Sequence, residues 1–317
     1  MTQIDKSRFE WIGSDSARRE GISRPSTTFW KDAIGRLMKN KVAVVCFFII
    51  VLLILSCIIV PFFSPFESRE QHLGEVNKGF MTVCTDSRYE GQHHVHYFGT
   101  DNLGRDLFLR AFEGGRVSLM IAFAAVFVNL IVGLIYGGIS GYIGGAVDTI
   151  MMRIVEIVNG IPYLIVVILL MMVLPKGIFT MVVAYGITGW TGMARLVRGQ
   201  VLQLKSQEYV LAANALGVSP FKIIMRHMIP NTIGIIIVAI TFDIPGYIFS
   251  EAFLSYIGLG IQPPDTSWGA LASAAQQNFM FYPYQLFFPS LMIALTMLSF
   301  TLLGDGLRDA LDPKLRK

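Results

Sequence analysis

The strongest constraint on this chain is the length of its apolar runs. Six of them lie at about residues 42–63, 117–139, 154–174, 178–194, 232–257 and 286–303. Each approaches or exceeds the roughly 20 helical residues that cross the hydrocarbon core of a bilayer. Within hydrocarbon every backbone N–H and C=O must find its partner inside the protein, so a spanning segment is a helix or a strand of a closed barrel. Barrel strands would read as alternating segments of about ten residues, and these runs do not alternate. The expected fold is therefore all-α, a polytopic membrane protein with six transmembrane helices. The composition agrees, since 15% of residues are charged and mean hydropathy is +0.56. An ordinary soluble domain is about 25% charged.

Positive charge sets the orientation, because Lys and Arg are enriched in cytoplasmic loops. Segments 1–41, 141–153, 195–231 and 304–317 hold 19 of the 26 Lys and Arg residues. The intervening segments 64–116, 175–177 and 258–285 hold the other 7. Both termini and the 195–231 loop are thus expected in the cytoplasm, and the protein in the cell membrane. The net charge of +4 follows from this topology and makes no case for nucleic-acid binding. Residues 1–41 read as a polar, basic tail, disordered over 14–28 and helical near "FWKDAIGRLMKNK". This tail has neither the apolar region nor the cleavage site of a signal peptide, so span 42–63 reads as an uncleaved anchor. Residues 117–303 form a five-helix core, and 304–317 a C-terminal tail.

Residues 64–100 are the one long extracytoplasmic segment, either a loop or a small folded cap. His93, His94 and His96 invite a metal site, but no carboxylate or cysteine stands at ligand spacing, so a hydrated loop without metal is expected. Cys46 and Cys57 fall in the first span and Cys84 stands alone, so no disulfide or metal framework follows. Within 99–119, Asp101 or Asn102 is placed to cap a short helix lying in the membrane interface ahead of the second span. Before the last span, "WGALASAA" (268–275) reads as a short interfacial helix, at the outer rim or as a re-entrant packing element.

The most informative stretch is "EYVLAANALGVSPFKIIMRHMIPN", residues 208–231. Its helix formers end at Gly217, the residue type that commonly terminates a helix. Ser219 and Pro220 then combine a capping hydroxyl with proline at the first helical position. A second short helix is expected over about 220–228, stopped by Pro230, which opens the next span. Ala212, Ala213 and Ala215 keep one surface small, which permits close approach of another protein. The result is a rigid knuckle between spans four and five.

This pattern resembles the "EAA" loop of ABC-importer permeases, with Ala212, Ala213, Gly217, Ile229 and Pro230 at the motif positions. Leu211 replaces the glutamate and His227 replaces an apolar residue. Tyr209, the Arg226–His227 pair and Pro230–Asn231 are similar to the peptide/nickel branch of that family. So are "GTDNLGRD" (99–106), "GGRVSL" (114–119), "GWTGMARLVRGQ" (189–200) and "EAFLSYIGLGIQPPDTSWG" (251–269). The likeness is to the C-type permease subunit of dipeptide and oligopeptide importers, and covers nearly the whole chain. It implies the type I ABC importer permease fold and a heterodimer with a homologous second permease subunit. It further implies two cytoplasmic ATPase subunits, an extracytoplasmic peptide-binding protein and a peptide substrate. In that assembly the 206–230 loop is the coupling helix, seated in a groove of one ATPase and moving as a rigid unit. Glu208, Tyr209, Ala212, Ala213, Gly217, Ser219, Arg226, His227 and Pro230 are its expected residues.

No G-x-x-x-x-G-K-[ST] occurs, so there is no loop to cradle a nucleotide phosphate. The chain is expected to be a non-catalytic subunit that binds no cofactor, with ATP and Mg used by the partner ATPases. Asp243 lies near the middle of span five, where a carboxylate is costly and usually faces a bundle interior or a water-filled path. Asp243, Pro245 and Glu251 are the candidate residues of a translocation path or gate. Asn129 and Asn159 are read as interhelical hydrogen bonders, worth about 0.6–2 kcal/mol each. The functional expectation is ATP-driven import of oligopeptides, with dipeptide or nickel import in the same family as alternatives. A secondary transporter is the alternative from another class; it would show broken repeated spans in both halves, and it has no use for the knuckle.

Overall fold

The computed structural model describes residues 29–85 and 94–312. The disorder expected over 14–28, and His93, lie outside these residues. Helix α1 (Phe29–Lys39) occupies the basic tail, and α2 (Lys41–Phe63) follows it directly. Asn40 makes that junction, its side chain accepting the Ala43 N–H at 3.2 Å.

Among the described residues, four helical runs are long and apolar enough to cross a membrane: α2, α3 (Leu107–Ile143), the run Pro220–Tyr256, and α12 (Pro283–Leu311). A fifth is the pair α4 (Gly145–Gly160) and α5 (Tyr163–Val173), bent by 75°. The expected third span is therefore broken. Pro162 has no N–H to continue the ladder and drives its predecessor out of the helical region, and Ile161 is extended at φ −88°, ψ 118°. The expected fourth span is divided between α6 (Ile178–Thr188) and α7 (Trp190–Lys205) at Gly189. Gly189 itself keeps helical dihedrals, and its N–H reaches Tyr185 O at 2.8 Å. Four continuous runs and one bent pair thus account for five of the six expected spans, and the sixth segment, 178–194, is divided between α6 and α7.

The interfacial helix expected over 99–119 does not form as a separate element. Gly104 adopts φ +74°, and a Cβ there would overlap the His72 carbonyl. This left-handed turn delays the helix start to Leu107. Asp106, not Asp101 or Asn102, caps α3, accepting the Leu109 N–H at 2.7 Å. Asp101 instead organises the preceding turn, accepting Leu103 and Arg105 N–H and the Arg105 Nε at 2.7–3.0 Å.

The main core joins α2, α3, α10 (Ile229–Tyr256), α11 (Trp268–Gln276) and α12 around Cys46, Cys57, Phe112, Ile248, Trp268 and Phe300. Trp268 is fully buried and donates from Nε1 to Ala111 O at 2.8 Å. The helix therefore packs against α3 through its first residue. A second contact brings α7 against α3 across Gly133, Gly137 and Gly141. Small residues four apart let helix backbones approach closely in a membrane, where dispersion rather than water exclusion drives packing.

Residues 64–85 and 94–106 fold as a cap. Strands β1 (Thr82–Val83) and β2 (Val95–His96) pair antiparallel, with Thr82 opposite His96. The cap is tied to α12 by Tyr284 Oη donating to Lys78 O at 2.8 Å, and by Gln285 Nε2 donating to Asn77 Oδ1 and Thr100 O. Arg110 Nη1 on α3 donates to Ser68 O at 2.9 Å. His72, Glu75 and His96 are each no more than 1% exposed, so the hydrated-loop expectation fails here. Long-range hydrogen bonds from α3 and α12 order this segment and give most of its buried polar groups partners, His96 Nε2 being an exception.

Candidate functional site: the hairpin of residues 206–231

Residues 206–231 form a hairpin of helices. Helix α8 (Glu208–Ala215) ends in a left-handed turn at Gly217, φ +74°. Val218 N–H reaches back to Ala213 O at 3.1 Å and Gly217 N–H to Asn214 O at 3.0 Å. This pair of bonds satisfies carbonyls that the last helical turn leaves open. Ser219 occupies the N-cap position of α9 (Pro220–Ile223) with Pro220 at the first helical position. Its hydroxyl makes no capping bond, so the proline alone carries the start signal.

The second arm is not a separate short helix, and Pro230 does not stop it. Residues Ile224–Met228 form a π-helical turn that runs straight into α10, so the arm is the first part of a candidate span. Ile229 N–H bonds to Ile224 O, five residues back. The wider turn makes room for a proline ring that would otherwise strike the carbonyl four residues earlier.

The hairpin rests on a buried apolar base. Val197 and Val201 of α7 meet Val210, Ile223, Ile224 and Met228. Tyr142 Oη, at the end of α3, donates to Asn214 Oδ1 at 2.6 Å, and Lys205 Nζ donates to Tyr142 O at 2.5 Å. Behind it, Asp148 of α4 accepts Arg198 Nε and Nη2 and the Ser140 hydroxyl, each at 2.5 Å, locking α3, α4 and α7 together. Across the hairpin, Asn231 Nδ2 donates to His227 O at 2.5 Å and lies 3.4 Å from Tyr209 Oη.

The expected residues separate into two sets. Glu208, Tyr209, Ala212, Gly217, Ser219, Arg226 and Pro230 are exposed, and His227 is half-buried. Ala213 is buried against the base, so the three alanines do not share one surface: Ala212 and Ala215 face out. Sequence reasoning missed the apolar tip. Leu216 is 84% exposed and Phe221 72%, with Leu211 and Met225 about half exposed beside them. Large apolar side chains displayed together on a pinned, polar-flanked element mark an interaction surface. The available signal was their placement on either side of a glycine turn in a charged loop.

Asp243 and Gly246 lie on a face of α10 that this chain leaves uncovered, while Pro245 is buried. Among the described residues the Asp243 carboxylate has no hydrogen-bond partner within this chain. Glu251 is enclosed instead, with no exposure. Its oxygens accept Ser118 Oγ of α3 and Ser255 Oγ, both at 2.7 Å, and Ser118 Oγ also accepts the Trp268 N–H at 3.2 Å. Glu251 therefore knots α3, α10 and α11 rather than opening onto a path in this chain. Asn129 Nδ2 of α3 donates to Tyr247 Oη of α10 at 2.5 Å, and Asn159 of α4 pairs with Thr191 Oγ1 of α7 at 2.7 Å. Both are interhelical hydrogen bonds, as expected.

Comparisons with known proteins fall on the same elements. The family described as "Binding-protein-dependent transport system inner membrane component" matches residues 129–317. That described as "N-terminal TM domain of oligopeptide transport permease C" matches residues 28–79. The oligopeptide transport system permease protein OppC of Bacillus subtilis (strain 168) is 48% identical over 317 residues, covering 100% of both chains. The dipeptide transport system permease protein DppC of the same organism is 47% identical over 299 residues, 94% of this chain and 90% of that one. The oligopeptide permease OppC of Escherichia coli (strain K12) is 42% identical, over 98% and 99% of the two chains. Among solved structures, the inward-facing MetNI methionine ABC transporter matches 63% of this chain and 96% of its own. The TM-score is 0.50 at 19% identity, a likeness of fold.

Proposed function

The chain belongs to the family of binding-protein-dependent transport system inner membrane components, and on that premise we propose that it is the permease subunit of an ATP-driven oligopeptide importer. It pairs with a homologous permease, receives peptide from an extracytoplasmic binding protein, and is driven by two cytoplasmic ATPases. The chain itself has no nucleotide-phosphate loop and does no chemistry. The observation that carries this reading is the pinned hairpin with Leu216 and Phe221 exposed at its tip. An element that transmits force needs a stiff base and a complementary surface, and α8–α9 has both. Because α9 continues into α10, motion of an ATPase groove reaches a membrane span without an intervening loop. With both termini and the hairpin cytoplasmic, the cap faces the binding protein.

Vesicles holding the assembled complex test this directly. Peptide uptake should require ATP and the peptide-loaded binding protein, and tetra- or pentapeptides should compete better than dipeptides. Uptake driven by an ion gradient without any ATPase would overturn the reading. Dipeptides competing best would instead favour the dipeptide alternative, which the B. subtilis DppC relative keeps in view.

Asp243 and Pro245 belong in the proposal as path or gate residues. A carboxylate on an apolar helix does not face lipid at low cost, so the uncovered face of α10 turns to the second permease or to water. Pro245 leaves the Thr241 carbonyl without its usual N–H partner, which softens the helix beside the carboxylate. Asp243→Asn and Pro245→Ala are each expected to slow uptake severalfold while assembly is retained. Wild-type uptake rates in both variants would remove them from the path.

A further inference from the structure

The cap holds a polar centre that transport, as described, does not use. Glu75, Cys84 and His96 are all buried, and one ligating atom of each lies within 4.8 Å of the other two. We propose that Glu75, Cys84 and His96 form a binding site for a zinc-class divalent cation.

The histidine is already oriented for it. Asp106 Oδ2 lies 2.7 Å from His96 Nδ1, which places the proton on Nδ1 and the lone pair on Nε2. That carboxylate–histidine pair is the outer-shell arrangement that orients metal-bound imidazoles. Nε2 is buried without a hydrogen-bond partner and lies 3.9 Å from Glu75 Oε2. Phe66 stacks on the imidazole at 4.4 Å between ring centroids. The Glu75 carboxylate is equally constrained, because Oε1 accepts both the N–H and the hydroxyl of Thr85 at 2.9 and 2.6 Å. Thr85 adjoins Cys84, whose N–H is fixed to His94 O at 2.8 Å. Cys84 forms no disulfide among the described residues.

One sulfur, one nitrogen and one oxygen suit zinc, whereas calcium and magnesium take oxygen ligands. Ligands of a tetrahedral zinc stand about 3.4–3.7 Å apart, so binding requires a contraction of about 1 Å. Lys78 Nζ stands 2.7 Å from Glu75 Oε2 and is partly exposed, a cation that an entering metal would displace toward solvent. A Glu–Lys–Thr network alone needs neither the thiol nor an imidazole nitrogen left without a donor.

Occupancy would staple three pieces of the cap, the turn Leu73–Glu75, the end of β1 and β2. Asp106 extends the staple to α3, since its other oxygen caps that helix.

The test uses the full chain, purified in detergent with any histidine tag removed, equilibrated with zinc and desalted, with bound metal measured by mass spectrometry. Cobalt substitution reads thiolate ligation through its sulfur-to-metal charge-transfer absorption. Wild type should retain about one ion per chain and show the cobalt band, and both should be lost in Cys84→Ser and Glu75→Gln. Lys78→Gln should bind severalfold more tightly, a gain that misfolding cannot produce. Wild type that retains no zinc, or retains as much as Cys84→Ser, or lacks the cobalt band, would overturn the site.

Discussion

Gly217→Asp is expected to abolish peptide-stimulated ATP hydrolysis and peptide uptake together, in a complex that still assembles. At φ +74° a side chain strains the backbone, but no atom lies within 4 Å of where its Cβ would stand. The cost to the hairpin is therefore confined to the dihedral, about 1–2 kcal/mol, and the apolar base and the Tyr142–Asn214 bond remain. What changes is the tip. A charged group would project beside Leu216, into the surface proposed to seat in the ATPase. Gly217→Asn separates the two effects, since asparagine tolerates the left-handed region and carries no charge. It should keep most of the coupling, while Leu216→Glu should lose it with no backbone strain at all. ATPase stimulation and uptake measured in the same vesicles decide the matter. Wild-type coupling in both Gly217→Asp and Leu216→Glu would mean that this surface does not carry the ATPase stroke.

Gly137→Leu is expected to destabilise the fold strongly. A Cβ at Gly137 would overlap Ala194 O and stand 3.0 Å from both Arg198 N and Val197 Cβ. Two of those three atoms are backbone and cannot swing aside. Overpacking usually costs about 1–3 kcal/mol, and a larger figure is expected where backbone must move. The displaced helix would be α7, which leads directly into the hairpin, so coupling would suffer even in molecules that fold. Gly192→Leu is the matched control, because nothing lies within 4 Å of a Cβ there; it should stay within about 0.5 kcal/mol of wild type. Thermal denaturation of the two purified variants in detergent makes the comparison. Equal midpoints would show that α3 and α7 are not packed through the glycines.

Much of this protein is legible in its residue order, for a local reason. Hydropathy over about 20 residues is a property of consecutive side chains, so α2 and α12 stand where their apolar runs stand. The turn at Gly217 and the start at Pro220 follow from what those two backbones can adopt. Where the reading failed, the deciding atoms were distant in the chain. Asp106 displaced Asp101 as the cap of α3 because Gly104 turns against the His72 carbonyl. Pro230 reads as a stop, yet a π-turn passes it, since the packed base holds α9 and α10 as one helix. Ala213 faces in and Ala212 out because the hairpin lies on α7, which no local pattern announces. Glu251 reads as a path or gate residue, and what encloses its carboxylate is Ser118, 133 positions earlier. The sequence by itself determined where the long apolar helices lie and where the 206–231 hairpin turns, because both rest on local solvation and backbone preference. Only the tertiary structure decided which faces meet, which polar groups are paired, and that Glu75, Cys84 and His96 share one centre, because these depend on contacts closed between distant parts of the chain.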